Sequence, residues 1–156
     1  MCKPLMALRP LYRSMVLYAK DILEKDFLSF PQSTTIFEAA KAMKASKHGF
    51  VIVGSPDNPE GIVTEWDVVA KVVAEGVDPA RTTLGDVMTR ELFTMNAGEG
   101  ISNVAKLMSE RGVRRVVVKD GGKVVGYITA KTVLANLENY VDKVSAQISR
   151  LQAPWF

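Results

Sequence analysis

DILEKDFLSFPQSTTIFEAAKAM, residues 21–43, and DVMTRELFTMNAGEGISNVAKLM, residues 86–108, are two versions of one text set 65 positions apart. The register holds without insertion from Asp21–Ala70 to Asp86–Ala135. Asp21 falls on Asp86, Ile36 on Ile101, Ala40 on Ala105, Lys41 on Lys106 and Met43 on Met108. Further along, Val51 falls on Val116, Val53 on Val118, Gly61 on Gly126, Thr64 on Thr129, Val68 on Val133 and Ala70 on Ala135. Pairs that differ mostly keep their character, as in Ile22 with Val87, Leu23 with Met88 and Asp26 with Glu91. A repeat at fixed offset decides the fold before any local propensity does, because copies of one unit adopt one structure. A unit of about fifty residues makes a marginal core alone, so each copy is expected to bury its apolar face against the other.

Within each copy the hydrophobic period changes in the same order. Thr34 or Thr35 offers an N-cap to a helix whose apolar face is Ile36, Ala39, Ala40 and Met43; the twin face is Ile101, Val104, Ala105 and Met108. A β-branched run follows, Val51–Val53 or Val116–Val118, then a turn and a second run, Gly61–Thr64 or Val124–Thr129, which read as hairpin strands. A second helix begins at once, from about Glu65 to Glu75 and from Ala130 onward. Short extended segments, Leu28–Phe30 and Phe93–Met95, precede the first helices. The expected fold is α+β: two tandem β-α-β-β-α units about a pseudo-two-fold axis, with a long C-terminal helix. The expected divisions are an N-terminal arm or short helix over 1–20, units over 21–80 and 81–137, and a helical extension and tail over 138–156.

The 156 residues are 47% hydrophobic and 24% charged, the balance of a soluble globular chain. One cysteine, Cys2, and one histidine, His48, exclude an intrachain disulfide and a His/Cys zinc or iron–sulfur centre. A net charge of +3 is too small to argue for nucleic acid. Lys3, Arg9, Arg13 and Lys20 do make the N-terminus basic, so weak nucleic-acid binding there stands as a minor alternative. Pro4, Arg9, Pro10 and Arg13 interrupt the apolar residues of that stretch, which argues for a structured arm over a cleaved presequence. No uncharged apolar run approaches the roughly 18 residues that a membrane span needs. Glycine-rich phosphate loops, a Gly-x-Ser-x-Gly elbow and a metal-ligand cluster are missing, so no catalytic residue and no metal are expected.

The Asp-Ile-Leu and Asp-Val-Met openings at Asp21 and Asp86, the run Val113-Arg114-Arg115-Val116-Val117-Val118, and Gly61-Ile62-Val63-Thr64-Glu65-Trp66-Asp67 resemble the tandem pair of the CBS (cystathionine beta-synthase) domain family over residues 20–137. That resemblance implies a regulatory, non-catalytic, cytoplasmic module. It would bind an adenine nucleotide (AMP, ADP, ATP or S-adenosylmethionine) between the units as an energy sensor, form disc-like homodimers, and signal to an unknown regulated protein. A scaffold that dimerises without ligand is the alternative of a different class.

Candidate site residues follow. A strand ending at Thr64 and passing straight into a helix puts a hydroxyl and free N–H groups at one spot suited to phosphate. Asp67, one turn on, would accept hydrogen bonds from two ribose hydroxyls, as the matching family residues do; Thr64 and Asp67 would equally serve to cap their own helix. The second copy keeps Thr129 but has Thr132 in place of Asp67, so weaker affinity or another ligand is expected there. Lys131 could face a phosphate or solvent. Arg114 and Arg115 stand where the family places phosphate-reaching cations, opposite Gly49 and Phe50 of the first copy. Lys47 and His48 are nearby candidates, His48 reading first as an exposed or edge histidine. Ile62, Val63, Val113 and the Met95 to Ala97 segment could form the adenine slot, or plain core.

At the C-terminus Leu134, Leu137, Val141, Val144, Ile148 and Leu151 form a heptad seam of about two and a half repeats, expected to pack on the body or on a second copy. Trp155 and Phe156 are expected to dock rather than stand exposed.

Overall fold

The alternation of Val51, Ile52 and Val53 places neighbours on opposite faces of a strand, and all three are buried. A strand buried on both sides needs two layers to cover it. The computed structural model, which describes residues 16–151, shows what those layers are. The first unit contains α1 (Ala19–Ile22), β1 (Leu28–Phe30), α2 (Ile36–Ser46), β2 (Phe50–Gly54), β3 (Pro59–Thr64) and α3 (Glu65–Val68), the last widening into a π-type turn over Val69–Val73. The second contains α4 (Leu84–Val87), β4 (Thr94–Asn96), α5 (Ile101–Arg111), β5 (Arg115–Asp120), β6 (Lys123–Thr129) and α6 (Ala130–Leu151). Each makes a three-stranded sheet, β1-β2-β3 and β4-β5-β6, parallel across its first pair and antiparallel across its hairpin. Even the irregularity repeats: register shifts at Val53/Gly54 and at Val118/Lys119, 65 positions on.

Val51 and Val53 face a core of Ile36, Ala39, Met43, Val63 and Val72, while Val116 and Val118 face Val104, Met108 and Ile128. Their neighbours Ile52 and Val117 point the other way and meet in a third core with Phe50, Val124 and Tyr127. That shared layer joins the two sheets about the pseudo-two-fold axis, as the size argument requires.

The lead-in segments are exchanged. Leu84, Val87 and Met88 complete the core of the first unit, and Ala19 and Ile22 complete that of the second. Backbone pairs fix the exchange: Glu24 N–H donates to the Tyr127 carbonyl (2.8 Å) and Tyr127 N–H donates back (2.9 Å), as Ile62 and Thr89 do at 2.9 Å each way. A cut at residues 80/81 therefore divides the chain but not its cores.

Local chemistry explains the ends of the elements. Thr35, not Thr34, caps α2, accepting from Glu38 N–H while the Glu38 carboxylate accepts from Thr35 N–H. Asp21 and Asp86 do the same work in the lead-ins, taking the N–H groups of Tyr18 and Thr83 at 2.8 Å. Two expectations shift. The helix expected over Glu65 to Glu75 keeps α geometry only to Val68, and β4 begins at Thr94, where its pairing with Val117 sets it. The C-terminal helix runs unbroken through residue 137 to Leu151. Its seam does not pack on the body: Leu134, Leu137, Val141 and Ile148 are exposed. The arm up to residue 15 and the Trp155-Phe156 tail lie outside the described residues.

Candidate functional site

Thr64 ends β3 where the chain turns into α3, with extended backbone (φ −105°, ψ 164°) and its hydroxyl accepting from Asp67 N–H at 3.3 Å. Asp67 Oδ2 accepts from both the N–H and the hydroxyl of Thr64, each at 2.8 Å, and Lys71 Nζ lies 2.8 Å from Oδ1. Lys71 is placed by its spacing of four residues and by a bond to the Val87 carbonyl (2.7 Å). Burial alone would raise the Asp67 carboxyl, but the hydrogen bonds from Lys71 and Thr64 outweigh it and hold the group below its ordinary 3.8. Asp67 is thus an anion at neutral pH. A carboxylate offers about four acceptor positions, and three are in use. One acceptor position is open to a ribose hydroxyl while Lys71 stays in place.

These residues open on a cleft of about 320 Å³ between the units. One wall is Ile62, Thr64, Trp66 and Asp67; the floor is the exchanged lead-in with Thr89, Glu91, Leu92 and Phe93; the far wall is Gly112 to Arg115 with Val117. Of the expected residues the structure brings together Ile62, Thr64, Asp67, Val113, Arg114 and Arg115. Arg114 is exposed at the mouth, with no ion-pair partner among the described residues. Arg115 is more committed, with Nη2 3.4 Å from Glu65 Oε1 and its guanidinium 5.7 Å from the Phe50 ring centroid. At this helix start Glu65 N–H is taken by the Gly49 carbonyl, and α geometry passes into the π-type turn after Val68.

Three residues expected at the adenine slot lie elsewhere. Val63 points into the core of the first unit and is fully buried, because alternation sends Ile62 to the cleft and Val63 away from it. Met95 and Ala97 pack on the core of the second unit. His48 is not an exposed edge residue: its side chain is 13% exposed, with Nε2 3.3 Å from Asp26 and its ring edge-on to Tyr127. Trp66, Phe93 and Leu92 were missed as cleft residues. An exposed tryptophan two residues after Thr64 was the available signal for the first; the lead-in exchange that brings the other two has no local signature.

The counterpart region of the second unit differs. Thr132 N–H donates to the Thr129 hydroxyl (3.1 Å) and the two hydroxyls lie 2.8 Å apart, repeating the cap. The Thr132 hydroxyl also donates to Glu24, whose other carboxylate oxygen accepts from the Tyr127 hydroxyl at 3.0 Å. Burial, then the hydrogen bond to Glu24 and its charge, push the Tyr127 phenol up to about 12. Lys131 is exposed on the first turn of α6.

The CBS domain profile matches residues 19–74 and again 84–139. The chain belongs to the CBS domain family. Each match begins with a lead-in that packs into the core of the other unit of the CBS pair. An uncharacterised protein of Methanopyrus kandleri is 30% identical over 136 residues, spanning 85% of this CBS pair and 68% of that protein. Hypoxic response protein 1 of Mycobacterium tuberculosis is 28% identical over 123 residues, 78% of this chain and 86% of that one. Among solved structures, the hexameric CBS-CP12 protein of bloom-forming cyanobacteria is similar with a TM-score of 0.71 at 34% identity, covering 77% of this chain and 67% of that one. Tandem CBS domains are regulatory, ligand-binding modules, and CBS domains often bind adenine nucleotides. Among the described residues no helix is long and apolar enough to cross a membrane.

Proposed function

We propose that this CBS pair is a non-catalytic regulatory module that binds an adenine nucleotide in the cleft between its units and transmits occupancy to a partner protein. The observation that carries this reading is the meeting, in one cleft, of a carboxylate anion on one wall and a free guanidinium on the other, Asp67 and Arg114. A ribose presents hydroxyl donors and a phosphate presents oxygen acceptors, and these two walls answer them in that order. Between them Ile62, Val113, Trp66 and Phe93 offer apolar and aromatic surface suited to a purine ring. Thr64 holds Asp67 in place and Arg115 braces the Arg114 wall through Glu65. A ligand touching both walls favours whichever arrangement of the units brings them closest, and only that differential affinity can signal.

Calorimetry with AMP, ADP, ATP and S-adenosylmethionine tests the proposal. At least one should bind, and Asp67→Ala and Arg114→Ala should each weaken it about tenfold or more, the loss of one charge-assisted hydrogen bond. Absence of heat with all four ligands would remove the reading. Unchanged affinity in both variants would move the site elsewhere. Self-association belongs to the same proposal: the exposed seam on α6 and the hexameric neighbour favour an assembly of at least two copies.

A further inference from the structure

Across the pseudo-two-fold axis a carboxylate and a threonine have changed places. In the first cleft the carboxylate is on the helix, Asp67, and the threonine is on the lead-in, Thr89; in the second the helix carries Thr132 and the lead-in carries Glu24. The exchange is not neutral. Asp67 is tied back to its own helix by Thr64 and Lys71 and leaves its cleft open. Glu24 instead reaches up from the lead-in and accepts a hydrogen bond from Thr132, the residue in the place of the ribose-binding carboxylate.

Its position is held from several sides. The two backbone hydrogen bonds with Tyr127 pin its Cα to β6, and the Tyr127 hydroxyl pins its carboxylate. Tyr127 stands where the first cleft has the aliphatic Ile62 and fills more space, with its ring edge-on to Phe50 at 4.7 Å. The cations have been redistributed: Gly112, Val113 and Trp66 of the first cleft are matched by Lys47, His48 and Lys131, while the two arginines are lost. Arg114 and Arg115 are matched by Gly49 and Phe50, and Glu91 by Asp26, which is paired with His48. A Cβ at Gly49 would lie 2.6 Å from Glu65 Oε2 and 2.7 Å from Arg115 Nη2, the ends of two side chains that would have to move aside. The pair that braces the first cleft thus occupies the space from which a cation would reach into the second.

We propose that Glu24 is a built-in occupant of the second cleft, filling its ribose position with the chain's own carboxylate and excluding polyanionic ligands, so that each chain binds one nucleotide. The inference rests on the nucleotide reading of the first cleft and adds to it a stoichiometry and a residue that sets it. Phosphorylated nucleosides are rejected from the second cleft by charge as well as by occupancy. Removing the side chain should uncover Thr129, Lys131 and the start of the long helix α6, a weaker but usable anion site.

Calorimetry with ADP on the purified full chain, in the wild type, Asp67→Ala and Glu24→Ala, is the test. We expect one ADP per chain in the wild type, one bound at least tenfold more weakly in Asp67→Ala, and in Glu24→Ala a second equivalent binding at least tenfold more weakly than the first. Two equivalents in the wild type would overturn the inference and leave the nucleotide reading standing. One equivalent in both wild type and Glu24→Ala would show that Glu24 is not what closes the second cleft. No ADP bound by any variant, with no heat from AMP, ATP or S-adenosylmethionine either, would overturn both. A spectrophotometric titration of the tyrosines establishes that each variant is folded and that the contact is made: Glu24→Ala should shift one phenol to lower pH, and no shift would contradict the Glu24–Tyr127 bond on which the inference stands.

Discussion

Asp67 carries two hydrogen bonds from Thr64 and an ion pair with Lys71, so replacing it has a structural effect separate from any effect on ligand. Loss of the cap should cost about 1–2 kcal/mol in urea denaturation of Asp67→Ala. The sign of the pH dependence follows from the depressed carboxyl. Its contribution is fully present above the unfolded value near 3.8 and is lost as pH falls through the lower folded value. The wild type and Asp67→Ala should therefore converge in stability in that acid range and differ at neutral pH; a constant difference would contradict the bonding seen here. Tyr127 gives the opposite sign. Its phenol is raised to about 12, so the stabilisation is present below the unfolded value near 10 and is lost between 10 and 12. Tyr127→Phe should cost about 1 kcal/mol at neutral pH through the lost hydrogen bond to Glu24 and should narrow its deficit above pH 10. Thermal melts at pH 7 and pH 11 check both statements.

At the scale of elements, the glycines show why the repeat keeps certain identities. Gly61 and Gly126, one of the identical pairs, sit where the exchanged lead-in presses on the hairpin. A Cβ at Gly126 would collide with the Glu24 carbonyl and Leu23, while one at Gly61 would lie 2.8 Å from Met88 Sδ and 2.9 Å from the Thr89 carbonyl. Both positions meet a backbone carbonyl, which yields less than a side-chain end, but the approach is closer at Gly126, so Gly126→Ala should destabilise by about 1–3 kcal/mol and more than Gly61→Ala, measured by denaturant midpoint. Equal, negligible effects would contradict the close crossing. The helices and hairpins were legible because their signals are local: Thr35 with Glu38, the Ile36 to Met43 face, and the β-branched runs. The lead-in exchange was not, because Glu24 and Tyr127 are 103 residues apart and no spacing rule says which sheet a free segment will join. The cleft was half legible for the same reason. Thr64, Asp67 and Arg114 lie at strand ends that the pattern marks, but Phe93 and Leu92 reach it only through the exchange. Val63 was misplaced for want of knowing which face of β3 looks inward.

The whole molecule is two units sharing one apolar layer, with Phe50, Ile52, Val117, Val124 and Tyr127 between the sheets. This arrangement explains how near-symmetry in sequence yields two unlike clefts: the shared layer tolerates Ile62 on one side and Tyr127 on the other, and the clefts diverge around them. Its outer face is unfinished. Leu134, Leu137, Val141 and Ile148 leave an apolar stripe along α6, which a second copy would cover. Sedimentation at micromolar concentration should show at least a dimer, and Leu137→Asp with Val141→Asp should shift it to monomer; a monomeric wild type would refute this use of the stripe. The central claim is that the cleft walled by Thr64, Asp67 and Arg114 holds the nucleotide. Amide NMR of the labelled chain titrated with ADP measures this most directly. The account predicts shifts concentrated at Thr64, Trp66, Asp67, Val113 and Arg114, with Thr129 to Thr132 unmoved; no shifts, or shifts confined to the second unit's helix start, would contradict it.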